Sequence, residues 1–496
     1  MLIAFFLSPF VIHHLGTSAY GVWVLVLSFT GYLGLLDLGV RGTATFYVAK
    51  FHTQNKHEEA SRVLSSALAI FSFLGMLAIV ISIAAAPFAS RLLHIPENLK
   101  GDFRILLIVT GAAIASTLIG GVFGSVVAGL QRFELVNAIE IVTGLVRASV
   151  IVFCLRQGKG LLALAAIQLV NSLVVAFMYF LTSSVLYPQL KIRYALFDWT
   201  NARLIFSFGS YLFLLNVSMH LILNADSIVI GAFLPVAMVA FFAIAGNLIT
   251  YSRQLINGIS FTISPLTSSL DAKGNFEKIR LIALSGPRYM TMLILPVVIT
   301  FALRGKTFIG LWVGDEYASL SGTVLRILSI ALFFSAANQV ATSMAIGINR
   351  HRPVVVVSVL EALLNLTLSI VLIHTLGIFG VAWGTALPSL LISLFFWPAY
   401  IHKLFGVGYT EYLWSAWGRP VISAIPFALT TLLVDRIWSA RTVWFFFLQV
   451  ALTLPVALLV FWFGCLSPLE RHDWVARMRS RAVSTEPVKS AGSNAT

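Results

Sequence analysis

Ionisable side chains inside long apolar runs are the residues best placed to do chemistry in this chain. Asp37 and Arg41 stand four apart in the run 18–40, the spacing at which two side chains meet on one helix face. Arg147 follows Glu140 by seven residues and Arg253 precedes Asn257 by four, while Arg288 and Arg326 fall in the runs 281–303 and 321–347. A guanidinium away from water grips phosphate oxygens through its planar fork, so Arg41, Arg147, Arg253 and Arg288 are candidates for holding a phosphorylated anion. Asn216, His220 and Asn224 recur at four-residue intervals, and Gln168 and Asn171 lie three apart. Such polar seams offer hydrogen-bond partners to a polar cargo, or equally to neighbouring helices. The carboxylates Asp37, Asp226, Glu361 and Glu140 are candidates for a coupling proton or sodium ion.

Each candidate has a plainer alternative. Asp37 and Arg41 neutralise each other, and Arg253, Arg288 and Arg326, read as lying near helix ends, snorkel toward headgroups. His220 serves as a satisfied core histidine, Asp226 sits near a helix end, and Glu361 with Asn365 cross-links helices.

The elements that carry these residues follow from composition. Of 496 residues 59% are hydrophobic and 10% charged, where a soluble domain carries roughly a quarter charged. The mean hydropathy of +0.93 extends over nearly the whole chain, which predicts an all-α integral membrane protein of about fourteen transmembrane helices. The spans are expected near 1–16, 18–40, 63–87, 105–130, 137–155, 161–186, 205–233, 236–262, 281–303, 321–347, 354–374, 378–400, 418–434 and 442–466. The first run is short for a span, so either the native protein begins upstream or this helix runs through His14 to about Thr17. A cleavable signal peptide is not indicated, since no basic region precedes the apolar run. Cys154 and Cys465 read as small buried hydrophobes rather than as a disulfide or metal pair.

The net charge of +14 sits in short gaps between apolar runs, which argues against a nucleic-acid partner. Nineteen basic residues fall in one set of gaps and nine in the other, which predicts both termini on the cytoplasmic side. Gly305-Lys306-Thr307 lacks the remaining glycine of a phosphate loop, and His57-Glu58-Glu59 lacks the second histidine of a zinc motif. No enzymatic activity and no bound cofactor is expected beyond the coupling ion.

An internal echo organises the spans. Gly129-Leu130-Gln131-Arg132 and Gly347-Ile348-Asn349-Arg350 lie 218 residues apart, and Gly160 and Gly377 open matching small-residue helices 217 apart. Such repeats are typical of transporters whose halves rock around a central site. Residues 1–190 and 191–403 are expected to form two six-helix bundles, 404–466 an extra hairpin and 467–496 a disordered basic cytoplasmic tail.

Pro9–Gly16, Tyr20-Gly-Val-Trp23, Leu35-Leu-Asp-Leu-Gly39, Ala225–Gly231 and the Gly-Leu-Gln-Arg turn resemble the polysaccharide transporter, or O-antigen flippase, family of the multidrug/oligosaccharidyl-lipid/polysaccharide exporter superfamily. The resemblance covers roughly residues 1–400. It implies two bundles in a V, alternating access, and flipping of undecaprenyl-diphosphate-linked sugar units across the bacterial inner membrane for O-antigen, capsule or exopolysaccharide assembly. The partners it implies are the lipid-linked oligosaccharide, membrane lipids and other polysaccharide-assembly membrane proteins. A cation-coupled multidrug exporter of the same superfamily is the alternative, and a membrane-bound glycosyltransferase or polymerase a more distant one. On this reading Arg41 and Arg147 are expected to face one shared central cavity.

Overall fold

The computed structural model describes residues 2–468 and 470–472, with the side chains at 2, 204, 206–216, 218, 219 and 223 outside the description. Residues 473–496 of the expected tail lie outside it too. Secondary structure among the described residues is helical throughout: α1 Leu2–Leu15, α2 Thr17–Leu33, α3 Val40–Thr53, α4 His57–Leu92, α5 Glu97–Gly129, α6 Phe133–Arg156, α7 Leu161–Leu186, α8 Trp199–Phe233 and α9 Ala237–Ser260. There follow α10 Ile263–Ala272, α11 Phe276–Trp312, α12 Asp315–Gly347, α13 Arg352–Leu376, α14 Ile378–Leu391, α15 Trp397–Phe405, α16 Tyr409–Leu413, α17 Arg419–Ile437 and α18 Val443–Gly464. Twelve spans among the described residues are long and apolar enough to cross a membrane, with α14–α15 and α16–α17 each forming one span. The shorter α1 and the long α8 stand where the first and seventh helices were expected.

The run 18–40 is not one helix. After α2 the chain makes a tight turn over Gly34–Asp37, and Leu38 and Gly39 take left-handed backbone at φ 50° and 77°. Left-handed residues cannot continue a right-handed helix, so Asp37 and Arg41 flank a break and α3 starts afresh at Val40. At the first helix, Gly16 at φ 78° ends α1 at Leu15 and lets α2 begin at Thr17.

The repeat is built into backbone geometry. Gln131 and Asn349 adopt left-handed φ of 57° and 55°. After α5, Gln131 N–H donates to the Ala128 carbonyl and Arg132 N–H to that of Val127; after α12, Asn349 donates to Ile346 and Arg350 to Ala345. Both are the nested hydrogen bonds that close a helix with a left-handed residue. The glycines opening the two turns have a packing reason. A Cβ on Gly129 would strike Val48 and the Thr45 carbonyl of α3, and one on Gly347 would strike Thr267 and the Ser264 carbonyl of α10. The short helices α3 and α10 therefore lie against α5 and α12 in the same way, 219 residues apart.

Each half packs around one long central helix. In the first, α5 contacts α3, α4 and α7; in the second, α12 contacts α9, α10, α11 and α14. The halves meet where α2 lies against α8 and α9. The extra hairpin α17–α18 packs on α11 through Leu295, Phe427 and Phe461. It is also pinned by Arg304, which is fully buried, donates to Asp435 Oδ1 at 2.9 Å and to Gln449, and lies 4.5 Å from the Phe446 ring. Buried away from water, that cation requires these partners.

Candidate functional site

Between the two halves lies a cavity of about 670 Å³, lined by α1, α2 and α6–α9 with single residues of α12 and α14. One end is shut by contacts between the halves. Thr17 Oγ1 lies 2.7 Å from the Tyr317 hydroxyl. His94, in the loop after α4, donates its N–H to the Gly231 carbonyl at 2.9 Å and accepts from Val236 N–H at 3.2 Å. Gly21 belongs to the same seam, because a side chain there would overlap the Val236 carbonyl. These residues all lie at or beside the α1–α2, α4–α5, α8–α9 and α11–α12 connections, which share one side of the membrane by helix alternation.

Within the cavity Arg147 of α6 donates from Nη1 to Gln168 Oε1 of α7 at 3.0 Å. The pair fixes one side of the fork and leaves other N–H groups for a ligand. From α8, Asn224 Nδ2 donates to the His220 carbonyl at 3.2 Å, and both side chains line the space. Asn224 nests against Gly31, where a Cβ would overlap it. Asn247 Nδ2 donates to the Tyr20 hydroxyl at 3.3 Å across the halves. Arg253 also lines the cavity, and its Nε is buried with no hydrogen-bond partner among the described residues.

At the second-half wall, Asp226 is buried at 5% exposure. Thr385 Oγ1 donates to its Oδ2 at 2.8 Å, and Ser369 Oγ lies 3.5 Å from Oδ1. Asn365 Nδ2 donates to Thr385 Oγ1 at 2.9 Å, leaving its own Oδ1 buried without a partner among the described residues. The Val381 carbonyl lies 3.4 Å from both hydroxyls. A carboxylate, two hydroxyls and a backbone carbonyl thus converge, oxygen donors of the kind a small hard cation takes. Arg253 lies within electrostatic reach of both Asp226 and Glu361, so the acid network joins the cavity. Sequence reasoning singled out Asp226 but missed Thr385 and Ser369, because isolated hydroxyls in apolar helices look like packing residues.

Several expected members lie elsewhere. Arg41 does not share the cavity with Arg147: it pairs with Asp37 at 3.4 Å, the two side chains 45% and 30% exposed, and reaches toward the Thr117 carbonyl over Gly121. The helix break after Leu33 turns that segment away. Arg288 lies within α11, not near its end; it is buried against Glu470 beyond α18, and Glu470 also accepts from the Tyr289 hydroxyl at 3.0 Å. Glu140 accepts from Tyr179 at 3.1 Å outside the cavity, and Asn171 and Glu361 are absent from its lining. Arg326 is exposed and donates from Nε to the Ala302 carbonyl at 2.9 Å. The side chain of Asn216 lies outside the described residues.

Residues 14–322 match a family model described as polysaccharide biosynthesis protein. The chain belongs to that family. The resemblance to the polysaccharide transporter, or O-antigen flippase, family read from the motifs is borne out. Among relatives, the uncharacterized membrane protein EpsK of Bacillus subtilis (strain 168) is 21% identical over 86% of this chain and 84% of its own. A Shigella flexneri protein bearing the name of an O-antigen transporter is 21% identical over 78% of this chain and 90% of its own. The fold is that of the solved lipid II flippase MurJ in an inward closed conformation, with TM-score 0.73 and 14% identity over 92% of this chain and 96% of that one. This member of the family is a multi-pass membrane protein, all-helical among the described residues.

Proposed function

We propose that this protein is a transporter, not an enzyme, which flips undecaprenyl-diphosphate-linked oligosaccharide across the bacterial inner membrane for O-antigen, capsule or exopolysaccharide assembly. The observation that carries this reading is Arg147, a cation held by Gln168 inside a cavity shared by both halves. A diphosphate there exchanges water for charge-assisted hydrogen bonds. His220, Asn224 and Asn247 offer donors and acceptors to the adjoining sugars, and the lipid remains in the membrane beside the cavity.

With both termini cytoplasmic, the seam at His94, Gly231 and Tyr317 is periplasmic, and the cavity loads from the cytoplasmic leaflet. Alternating access then requires this seam to part while the opposite ends of the bundles approach. The Asp226 network binds a proton or sodium ion whose gradient drives the return. Because Arg253 lies within electrostatic reach of Asp226, a bound cation there alters the field in which the diphosphate sits.

The test is reconstitution in liposomes with a fluorescent undecaprenyl-diphosphate oligosaccharide, following loss of label from the loaded leaflet. Flipping that rises with an imposed proton or sodium gradient is expected. Its absence under either gradient, in protein shown to be correctly inserted, would overturn the reading.

A further inference from the structure

A second cavity, of about 270 Å³, lies apart from the first, at the end of α7 and the connection into the second half. Its inner wall is Phe123 of α5 against Phe180 of α7, ring centroids 5.2 Å apart. Ser183 and Ser184 continue α7, and Lys191 and Arg193 supply the mouth. Neither cation has an ion-pair partner among the described residues, and both are exposed.

The connection that carries them is held in place. Ser61, Ser65 and Ser66 of α4 accept from the N–H groups of Lys191, Arg193 and Asp198 at 3.1, 3.0 and 3.1 Å. Tyr187 closes the floor, its hydroxyl 2.6 Å from His57 Nδ1 and its ring 4.9 Å from that of His52. Burial pushes the Tyr187 phenol up, so it stays neutral. Beyond Arg193, Tyr194, Phe197 and Trp199 are exposed at 59%, 40% and 72%, the aromatic composition found at a membrane–water boundary. On the other side Leu181 and Val185 are exposed and apolar, as a lipid-facing surface requires.

We propose that this cavity binds an anionic phospholipid of the surrounding leaflet, its phosphate on Lys191 and Arg193 and one acyl chain along Phe123 and Phe180. The charge selects an anion, and basic pockets at the edge of a helix bundle are suited to acidic headgroups. Since the segment joins the two halves, a lipid seated here touches the connection between them.

The experiment is native mass spectrometry of the purified full-length protein titrated with phosphatidylglycerol or with phosphatidylcholine of the same chains. Phosphatidylglycerol is expected to bind at least tenfold more tightly. In Lys191→Ala/Arg193→Ala its affinity falls about thirtyfold, on the basis of about 1 kcal/mol per surface cation. Ser184→Trp keeps both charges but fills the exposed mouth, and is expected to abolish the site as well. Lys159→Ala/Arg156→Ala, on the opposite connection of the bundle, changes nothing. Equal binding of both lipids, or full binding by Ser184→Trp, would overturn the proposal. An undecaprenyl-diphosphate lipid that displaces phosphatidylglycerol from the wild-type protein at equal or lower concentration would also overturn it, by showing cargo at this site.

Discussion

The two halves share a scaffold and differ in charge at one equivalent place. Arg147 and Gln168 bond between α6 and α7 at 3.0 Å, and Asn365 and Thr385 bond between α13 and α14 at 2.9 Å. The first members lie 218 residues apart and the second 217, the same offsets that relate Gly129 to Gly347 and Gly160 to Gly377. One inter-helix polar contact has thus been kept in both halves. In the first it presents a cation to the cavity; in the second it is neutral and wraps the buried acid Asp226. The backbone turns and the close approach of α3 and α10 are preserved because packing demands them. The contact facing the cavity is free to diverge, and on the proposed function its divergence separates anion chemistry from cation chemistry.

Removing the cation from the first half has the largest expected effect. Arg147→Ala forfeits a charge-assisted bond of about 1.5 to 3 kcal/mol, so transport falls about tenfold to a hundredfold at unchanged membrane abundance. Arg147→Lys restores part of it, since charge remains without the fork. Complementation of a flippase-deficient strain with immunoblotting measures both, and full activity of Arg147→Ala would erase the contrast between the halves.

In the second half, Asp226→Asn keeps shape and removes charge. Gradient-driven transport is expected to fall about tenfold while exchange without a gradient persists, as a coupling site requires and a structural one does not. Substitution in liposomes with and without the gradient separates the two. The scaffold should respond alike in both halves: Gly129→Ala and Gly347→Ala each force α3 or α10 away, costing about 1–3 kcal/mol of overpacking. Thermal stability in detergent should drop in both, and a drop in only one would show that the repeat is not mechanically equivalent. The smallest effect belongs to the half-exposed pair at the helix break. Asp37→Asn/Arg41→Gln should leave transport within about twofold, since exposed ion pairs contribute little; a larger loss would return Arg41 to the cargo path.

Much of this contrast was legible in the residues. Composition sufficed for the all-helical membrane class, and the Gly-Leu-Gln-Arg and Gly-Ile-Asn-Arg turns marked the repeat because left-handed caps favour few residue types. The break at Gly34–Gly39 was hidden, since the flanking residues are as apolar as a span. Arg288 was misplaced because Glu470 lies 182 residues away in sequence, and no local pattern announces a distant partner. Asp226 was visible as a charge in an apolar run; its hydroxyl partners were not, because Ser and Thr are ordinary in packed membrane helices.

The division of labour between the halves is tested most directly by measuring both ligands on both variants. Purified wild type, Arg147→Ala and Asp226→Asn are titrated with an undecaprenyl-diphosphate oligosaccharide and, separately, with sodium ions and protons, by calorimetry in detergent. Arg147→Ala should lose lipid-diphosphate affinity about tenfold or more and keep its cation binding, while Asp226→Asn should lose the cation and keep the lipid. If each variant loses both ligands in equal measure, or neither ligand is affected by its own variant, the assignment of anion to one half and cation to the other is wrong.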